Sequence, residues 1–290
     1  MKKCIICNYN KFVLKYKNTL MMCEECKFIT ANLDVTDSLL KNIYTENYFK
    51  GEEYLDYLKD KIILQRNFKS RLMHILKYVD KKNILSAVEV GCAYGFFAEE
   101  FTSEIKDAKY IGFDIVPEPI EYGKNVLKQN LKQQDFINYP VLEPYTDVFL
   151  WDVIEHLPNP DQIISKIGKE IKTGGRIYIT TGDISALLPK LQKHKWRMIH
   201  PPSHLHYFSK KTLTKLLNKH GFEIINISYP PIYRSLKQIY YSLFLLKKNE
   251  SPLKNWIYNR IPDKMFIPIN TYDIMFVIGK KVKNCPATDL

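Results

Sequence analysis

No apolar run in this 290-residue chain reaches the eighteen or so residues that a membrane-spanning helix requires. The first ten residues, MKKCIICNYN, carry two lysines but no apolar core adequate for a signal peptide. Internal repeats and low-complexity tracts are absent as well. These absences exclude a membrane span and a repeat array, and they predict a cytosolic globular protein. The length suits one large α/β domain with a small appendage, and 46% apolar residues is an ordinary share for such a chain. Two nucleotide-binding signatures are also missing: there is no G-x-G-x-x-G and no Walker lysine. Acidic residues are scarce where basic ones collect. Residues 190–290 hold 18 Lys and Arg against 5 Asp and Glu, whereas residues 1–189 hold 25 against 26. The excess positive charge therefore lies wholly in the last third. It suits an anionic partner, whether nucleic acid, a phosphorylated substrate or the anionic face of a membrane, and suits plain solubility as well.

Four of the six cysteines fall before residue 27, as Cys4-x2-Cys7 and Cys23-x2-Cys26. The spacing matches a structural zinc site of the ribbon type. Each C-x2-C turn presents two thiolates to one side, and two turns complete a tetrahedral S4 set with no open position. The 15 residues between the pairs suit a short hairpin arm, too small to carry a core, so Zn2+ would supply much of its folding energy. A cytosolic setting disfavours disulfides, and a redox C-x-x-C normally stands alone at a helix start.

The segment Val88–Phe97, VEVGCAYGFF, speaks most directly about chemistry. Val88, Glu89 and Val90 have strand character and run into a loop holding Gly91, Ala93 and Gly95, after which an amphipathic helical stretch opens. Glycine at such a turn lets backbone approach a ligand. A second buried strand, Lys109–Asp114, ends in a carboxylate, placed where an acid accepts hydrogen bonds from both hydroxyls of a ribose. Glycine turn, helix and strand-end acid together resemble the cofactor-binding half of the class I S-adenosylmethionine-dependent methyltransferases. The resemblance continues through Gln134-Asp135-Phe136, where that family places an acid and an apolar ring around the adenine. It runs on through YTDVFLWDVIEHL (145–157), like the family's fourth strand and following loop, and KTGGRIYITTGD (172–183), like its fifth. It spans roughly residues 83–283. It implies a Rossmann-like α/β fold with a seven-stranded, mostly parallel sheet and helices on both faces. It also implies S-adenosyl-L-methionine as cofactor, held by Glu89, Gly91, Cys92, Ala93, Tyr94, Gly95, Asp114, Ile115, Asp135, Phe136, Trp151 and Asp152. Taken singly, Glu89 reads as an edge or ion-paired residue, Asp114 as a turn cap and Asp135 as a solvated loop residue; Asp152 also reads as a helix N-cap. Cys92 reads as a small apolar side chain rather than a nucleophile.

Along the chain, residues 1–30 form the zinc-ribbon-like unit and residues 31–82 a linker and helical segment. Within the latter, 52–79 shows helical periodicity and is expected to roof the cofactor site. Residues 83–290 form the methyltransferase-like domain, with insertions at 184–208 and 230–270. Ser209 is expected to cap a helix through Asn218, Gly221 to end it, and 222–229 and 273–282 to be strands. The apolar section 236–246 of the second insertion reads as a buried lid helix or an interfacial helix.

Methyl transfer to a hydroxyl or acidic carbon requires removal of a proton, and histidine suits that role near neutral pH. The first insertion holds His194, His200, His204 and His206. Its HPPSHLHYFS segment resembles a stretch in sugar C- and O-methyltransferases, in which a Glu-His pair precedes Tyr-Phe-Ser. On that register His204 matches the base, while Ser203 replaces the Glu. His156, His200, His206 and Tyr207 are candidate substrate contacts; a packing role for each histidine, or zinc ligation by His204 and His206, stays open. The resemblance thus implies a methyltransferase acting on a sugar or glycan precursor. An RNA methyltransferase that grips phosphates with the zinc unit and the basic third is the second reading. Against it, WDVIEHLP replaces the Asn-Pro-Pro-aromatic tetrad of base-amine methylation, and no Pro-Cys nucleophile follows. A zinc-tethered binding module without catalysis is the third. Peripheral contact at the inner membrane face is compatible with the basic third.

Overall fold

The structure, a computed structural model, describes residues 3–36, 38–39, 57–140, 143–241, 251–262 and 265–282. Strands β4 (Ser86–Val90), β5 (Lys109–Asp114), β6 (Leu131–Gln133), β7 (Asp147–Trp151), β8 (Arg176–Gly182), β10 (Phe222–Ser228) and β13 (Ile274–Lys281) form one sheet in the order β10-β13-β8-β7-β4-β5-β6. β4 through β8 run parallel, and β13 lies antiparallel between β8 and β10. This is the Rossmann-like, mostly parallel seven-stranded sheet expected from the sequence. From β4 the chain steps to β5 and β6 on one side and later to β7 and β8 on the other. The resulting switch point opens a crevice at the carboxyl ends of β4, β5 and β7.

Strand alternation builds two cores, one on each face of the sheet. Val88, Val90, Val148, Leu150, Ile177 and Ile179 point to one face. There they meet Ile163, Ile164 and Ile167 of α4 (Pro160–Glu170) and Leu213, Leu216 and Leu217 of α6 (Lys210–Lys219). Ala87, Phe149, Trp151 and Tyr178 point to the other, against Phe97 and Phe101 of α2 (Phe96–Glu104) and Phe68, Leu72 and Ile75 of α1 (Lys61–Ile75). Helix starts follow local chemistry. Asn159 accepts from Gln162 N ahead of Pro160, and Ser209 and Thr212 close a reciprocal capping box on α6. Gly221, at φ 80°, ends that helix as expected. α3 (Pro117–Asn125) and α5 (Leu187–Gln192) are further helices among the described residues. Of the expected helix at 52–79, residues 52–56 lie outside the described residues.

The cysteine unit is a meander of β1 (Phe12–Lys15), β2 (Leu20–Cys23) and β3 (Ile29–Ala31). Its sheet gains a fourth strand from far along the chain: β9 (His206–Tyr207) pairs antiparallel with β3, Ile29 opposite Tyr207 and Thr30 opposite His206. Phe28 anchors the contact, 5.4 Å from the Phe208 ring and 5.7 Å from the His206 ring. The appendage is therefore fastened to the first insertion. The second insertion contains a hairpin of β11 (Ile232–Ser235) and β12 (Phe266–Ile269), with α7 (Leu236–Tyr240) and α8 (Pro252–Arg260) between them. Residues 242–246 of the expected lid or interfacial section lie outside the described residues.

Candidate active site

The crevice at the switch point is a half-open cleft of about 830 Å³, open solvent included. Its floor is the turn after β4. Gly91 and Gly95 have φ of 75° and 74°, and a Cβ on Gly91 would stand 2.5 Å from Val153 Cγ2. Only glycine serves there, on backbone and packing grounds together. Ala93 at φ 45° and Asp152 at φ 55° also hold left-handed backbone on the cleft wall, strain of a kind that gathers at ligand sites. Asp114 closes the end of β5. Its Oδ2 accepts from Ala93 N at 2.9 Å and its Oδ1 from Val116 N at 3.0 Å. Both carboxylate oxygens are thus fixed beside the glycine turn, and burial raises the group above the usual aspartate range. Ile115, Asp135, Phe136, Trp151, Asp152 and His156 line the cleft as well. Asp135 caps a 3-10 turn by accepting from Ile137 N, while Phe136 stays buried against Phe113, 5.5 Å between ring centroids.

Four of the predicted cofactor contacts stand behind this surface. Glu89 is buried and accepts from Tyr110 Oη. Cys92 is buried beside Gly112. Tyr94 is stacked on Tyr57, 5.5 Å away, and Gly95 caps α2. They shape the turn without lining the cleft. Sequence reasoning missed Arg71 and Tyr57. Arg71 reaches from α1 to Asp152 at 2.7 Å and lies 5.3 Å over the Trp151 ring, and Tyr57 lines the cleft. Only helical periodicity pointed to the segment that bears Arg71.

Behind Asp152 the loop carries Glu155 and His156. The ligand atoms of Glu155, His156 and His204 all lie within 4.8 Å of one another. His156 Nδ1 lies 2.9 Å from Ser203 O, and His204 Nδ1 lies 2.9 Å from Met198 O. A carbonyl only accepts, so both rings carry hydrogen on Nδ1, the tautomer that in a neutral ring leaves the lone pair on Nε2. Ring centroids of His204 stand 4.4 Å from His156 and 3.8 Å from His200. His156 lines the cleft. His204, His206 and Tyr207 line a small neighbouring cavity with Glu155, Thr181 and Trp196 instead. Burial, with His156 and His200 beside it, pushes His204 down to about 2, so it stays neutral across the working range. His206 Nδ1 is 3.1 Å from Thr30 Oγ1.

Glu155 brings a carboxylate to within 4.8 Å of His204 from a different strand end, whereas the neighbouring position in the histidine segment is Ser203. Glu155 is 2% exposed, and neither oxygen closes a normal hydrogen bond. Burial and the nearby Asp152 raise it to about 8, the Thr181 hydroxyl pulling the other way. Glu89 is raised to about 8, chiefly by burial.

In the cysteine unit, packed on the same core as β4 and β7, Cys4 Sγ and Cys26 Sγ are 3.5 Å apart, Cys7 Sγ and Cys23 Sγ 3.6 Å, and all four within 4.8 Å of one another. None forms a disulfide. Burial raises Cys4, and raises Cys26 to about 11. Four converging sulfurs of this kind fit a tetrahedral Zn2+ ion.

A Rossmann-like sheet with a glycine turn, a strand-end acid and a cleft at its switch point defines a class I S-adenosylmethionine-dependent methyltransferase fold. The family described as "Methyltransferase domain" matches residues 56–227, and the chain belongs to it. The chain is 23% identical over 167 residues to a ubiquinone biosynthesis O-methyltransferase of Dechloromonas aromatica, covering 50% of this chain and 68% of that protein. To the protein of the same name from Vibrio atlanticus it is 25% identical over 118 residues, 38% of this chain; there it spans about half the relative, 49% of its length. Among solved structures, magnesium protoporphyrin IX methyltransferase from Synechocystis with bound S-adenosylhomocysteine superposes with a TM-score of 0.53 at 14% identity, covering 85% of this chain and 100% of that one. A SAM-dependent methyltransferase from Archaeoglobus fulgidus superposes at 0.52 and 21% identity, covering 78% and 99%. These superpositions establish the fold. No described helix is long and apolar enough to cross a membrane.

Asp114→Ala should weaken S-adenosylmethionine binding tenfold or more in a calorimetric titration, by removing two charge-assisted acceptors; wild-type affinity would displace Asp114 from the site. A second outcome concerns pH. An acid raised from 4.5 to about 8 holds its proton in the folded chain where the unfolded chain has released it. Stability therefore falls as pH rises from about 4.5 to 8, by about 1.4 kcal/mol per pH unit for each such proton. Glu155→Gln should remove one proton's share of that slope in denaturant titrations between pH 5 and 8, and an unchanged slope would place the Glu155 proton elsewhere.

Proposed function

We propose that the chain transfers the methyl group of S-adenosyl-L-methionine to a hydroxyl oxygen of a sugar or glycan precursor. The observation that carries the donor side is Asp114, locked by Ala93 N and Val116 N beside the Gly91 turn. Its carboxylate would take the ribose hydroxyls, with Ile115 and Phe136 flanking the adenine and Trp151 and Asp152 near the methionine end. When bound, the sulfonium supplies an electrophilic methyl group. The chain's part is to bring an acceptor oxygen in line with it and to take up a proton as the carbon–oxygen bond forms.

His156 is the histidine placed for that proton. It lines the donor cleft, and its Nδ1 hydrogen bond to Ser203 O directs the Nε2 lone pair to the other side of the ring. His204, matched to the base on sequence grounds, stands behind His156 and is too weakly basic to take the proton itself. Its role in this reading is to hold the His156 ring. Oxygen as the acceptor atom accords with the O-methyltransferase relatives. The sugar rests on the four-cysteine unit and on the resemblance of HPPSHLHYFS to sugar-modifying enzymes. The cysteine unit, in turn, holds structural Zn2+ through Cys4, Cys7, Cys23 and Cys26.

A mass-spectrometric screen should find methylated products among nucleotide sugars and glycan precursors. Methylation of phenolic acceptors alone would remove the sugar and keep methyl transfer; methylation of RNA would overturn the acceptor class. His156→Ala should lower kcat on the order of a hundredfold or more with S-adenosylmethionine affinity nearly unchanged, and a full-speed variant would exclude His156 as base. Elemental analysis should give one zinc per chain. Cys23→Ser should lose it and speed amide exchange at Leu205 and His206, whose N–H groups donate to Glu155 O in a strand that Ala31 N and Thr30 Oγ1 hold from the other side through Leu205 O; exchange at the wild-type rate would separate the zinc unit from the histidine segment.

A further inference from the structure

The second insertion leaves the sheet at the carboxyl end of β10 and returns at Ile274, opposite Gly182 at the carboxyl end of β8. It therefore stands at the edge of the sheet where the cleft opens. Its hairpin is seated on α1: Asn67 Oδ1 accepts from Tyr233 N at 2.7 Å, Asn67 Nδ2 donates to Tyr233 O at 3.0 Å, and the Arg66 guanidinium lies 4.3 Å over the Tyr233 ring. α8, borne on this platform, has no buried residue. Leu253 is 65% exposed and Trp256 54%. With Arg260 they occupy positions i, i+3 and i+7, one face of the helix. The Arg260 guanidinium lies 4.3 Å over the Trp256 ring. Met265 and Ile267 of the adjoining hairpin are exposed too.

This face joins exposed apolar surface to positive charge. Residues 230–270 contain seven Lys and Arg against two Asp and Glu, and residues 251–262 contain no acid. Trp151 and Trp196, the other two tryptophans, are buried. An indole and a leucine held in water beside a guanidinium match the headgroup level of an anionic bilayer, where apolar groups enter the acyl boundary and cations meet phosphate. A nucleic acid would satisfy the charge and leave Leu253, Met265 and Ile267 in water. A second copy would set one chain of net charge +12 against another.

We propose that α8 and its hairpin dock on an anionic lipid surface, with Leu253 and Trp256 inserted and Lys254 and Arg260 on lipid phosphates. The proposal goes beyond the methyl-transfer reading and is independent of it. The full chain should sediment with phosphatidylcholine vesicles containing phosphatidylglycerol, ignore pure phosphatidylcholine, and be released by salt. Trp256 emission should shift to the blue and be quenched by brominated lipid. Because its two companions are buried, Trp256 is the reporter without any mutation. K254E/R260E should lower partitioning on the order of tenfold or more, and W256A/L253A likewise, with the melting temperature kept as a folding control. Indifference to phosphatidylglycerol would overturn the proposal. So would binding without a change in Trp256 emission, retention on RNA but not on vesicles, or a stable dimer that W256A splits.

Discussion

The peptide groups of Leu205 and His206 are hydrogen-bonded on both sides, and three parts of the molecule meet through them. On one side Leu205 N and His206 N donate to Glu155 O, at 2.9 and 3.0 Å, in the loop that also carries His156. On the other, Leu205 O accepts from Ala31 N at 2.8 Å and from Thr30 Oγ1 at 2.9 Å, both on the last strand of the cysteine unit. A two-residue strand has no stability of its own. It is held by burial of Phe28 and Phe208 beneath it and by these reciprocal bonds, whose loss would leave buried backbone groups unsatisfied. The histidine segment is consequently positioned from outside the methyltransferase sheet, and the conformation of His204 depends on a fold element more than 170 residues upstream.

The same region concentrates features that lower stability. Glu89 and Glu155 are buried acids raised to about 8, and Ala93 and Asp152 hold positive φ. A chain selected for stability alone would place apolar side chains and relaxed turns there. The surrounding core offsets these costs: Phe97 meets Phe149 at 4.8 Å and Trp151 at 5.1 Å directly beneath the turn. Arg71 adds a cation over Trp151 and an ion pair to Asp152. The loop is thus braced by ring packing and an ion pair, the kind of preorganisation that favours selective binding.

The cleft was legible in the sequence because the residues that build it are local. Gly91 and Asp114 stand at strand ends whose apolar alternation is plain, Gly95 opens the following helix, and Ser209 and Gly221 bracket a helix by capping rules that depend only on neighbours. The cysteine spacing was legible for the same reason. The histidine cluster depends on distant pairings. No local signal places Glu155 beside His204, or His206 beside Thr30, since the segments join only when β9 enters the sheet of the cysteine unit. A carboxylate reaches the histidines from outside their own segment: Glu155, beyond the end of β7, lies within 4.8 Å of His204. Glu89, Cys92 and Tyr94 look like ligand contacts by position in the motif and lie behind it, because alternate residues of a turn face the core.

Every feature tied to function stands at the carboxyl edge of the sheet, and topology gives the reason. Parallel strands bring their carboxyl ends together, and an antiparallel β13 between β8 and β10 opens that edge to long excursions without disturbing the ladder. The first excursion carries histidines inward and is tied down by the cysteine unit. The second is tied to α1 through Asn67 and turns its apolar face outward. α1 touches both systems, since Arg71 meets Asp152 in the cleft one helical turn from the Asn67 that holds the hairpin. The hairpin and the Asp152 side of the cleft therefore share one helix as their support.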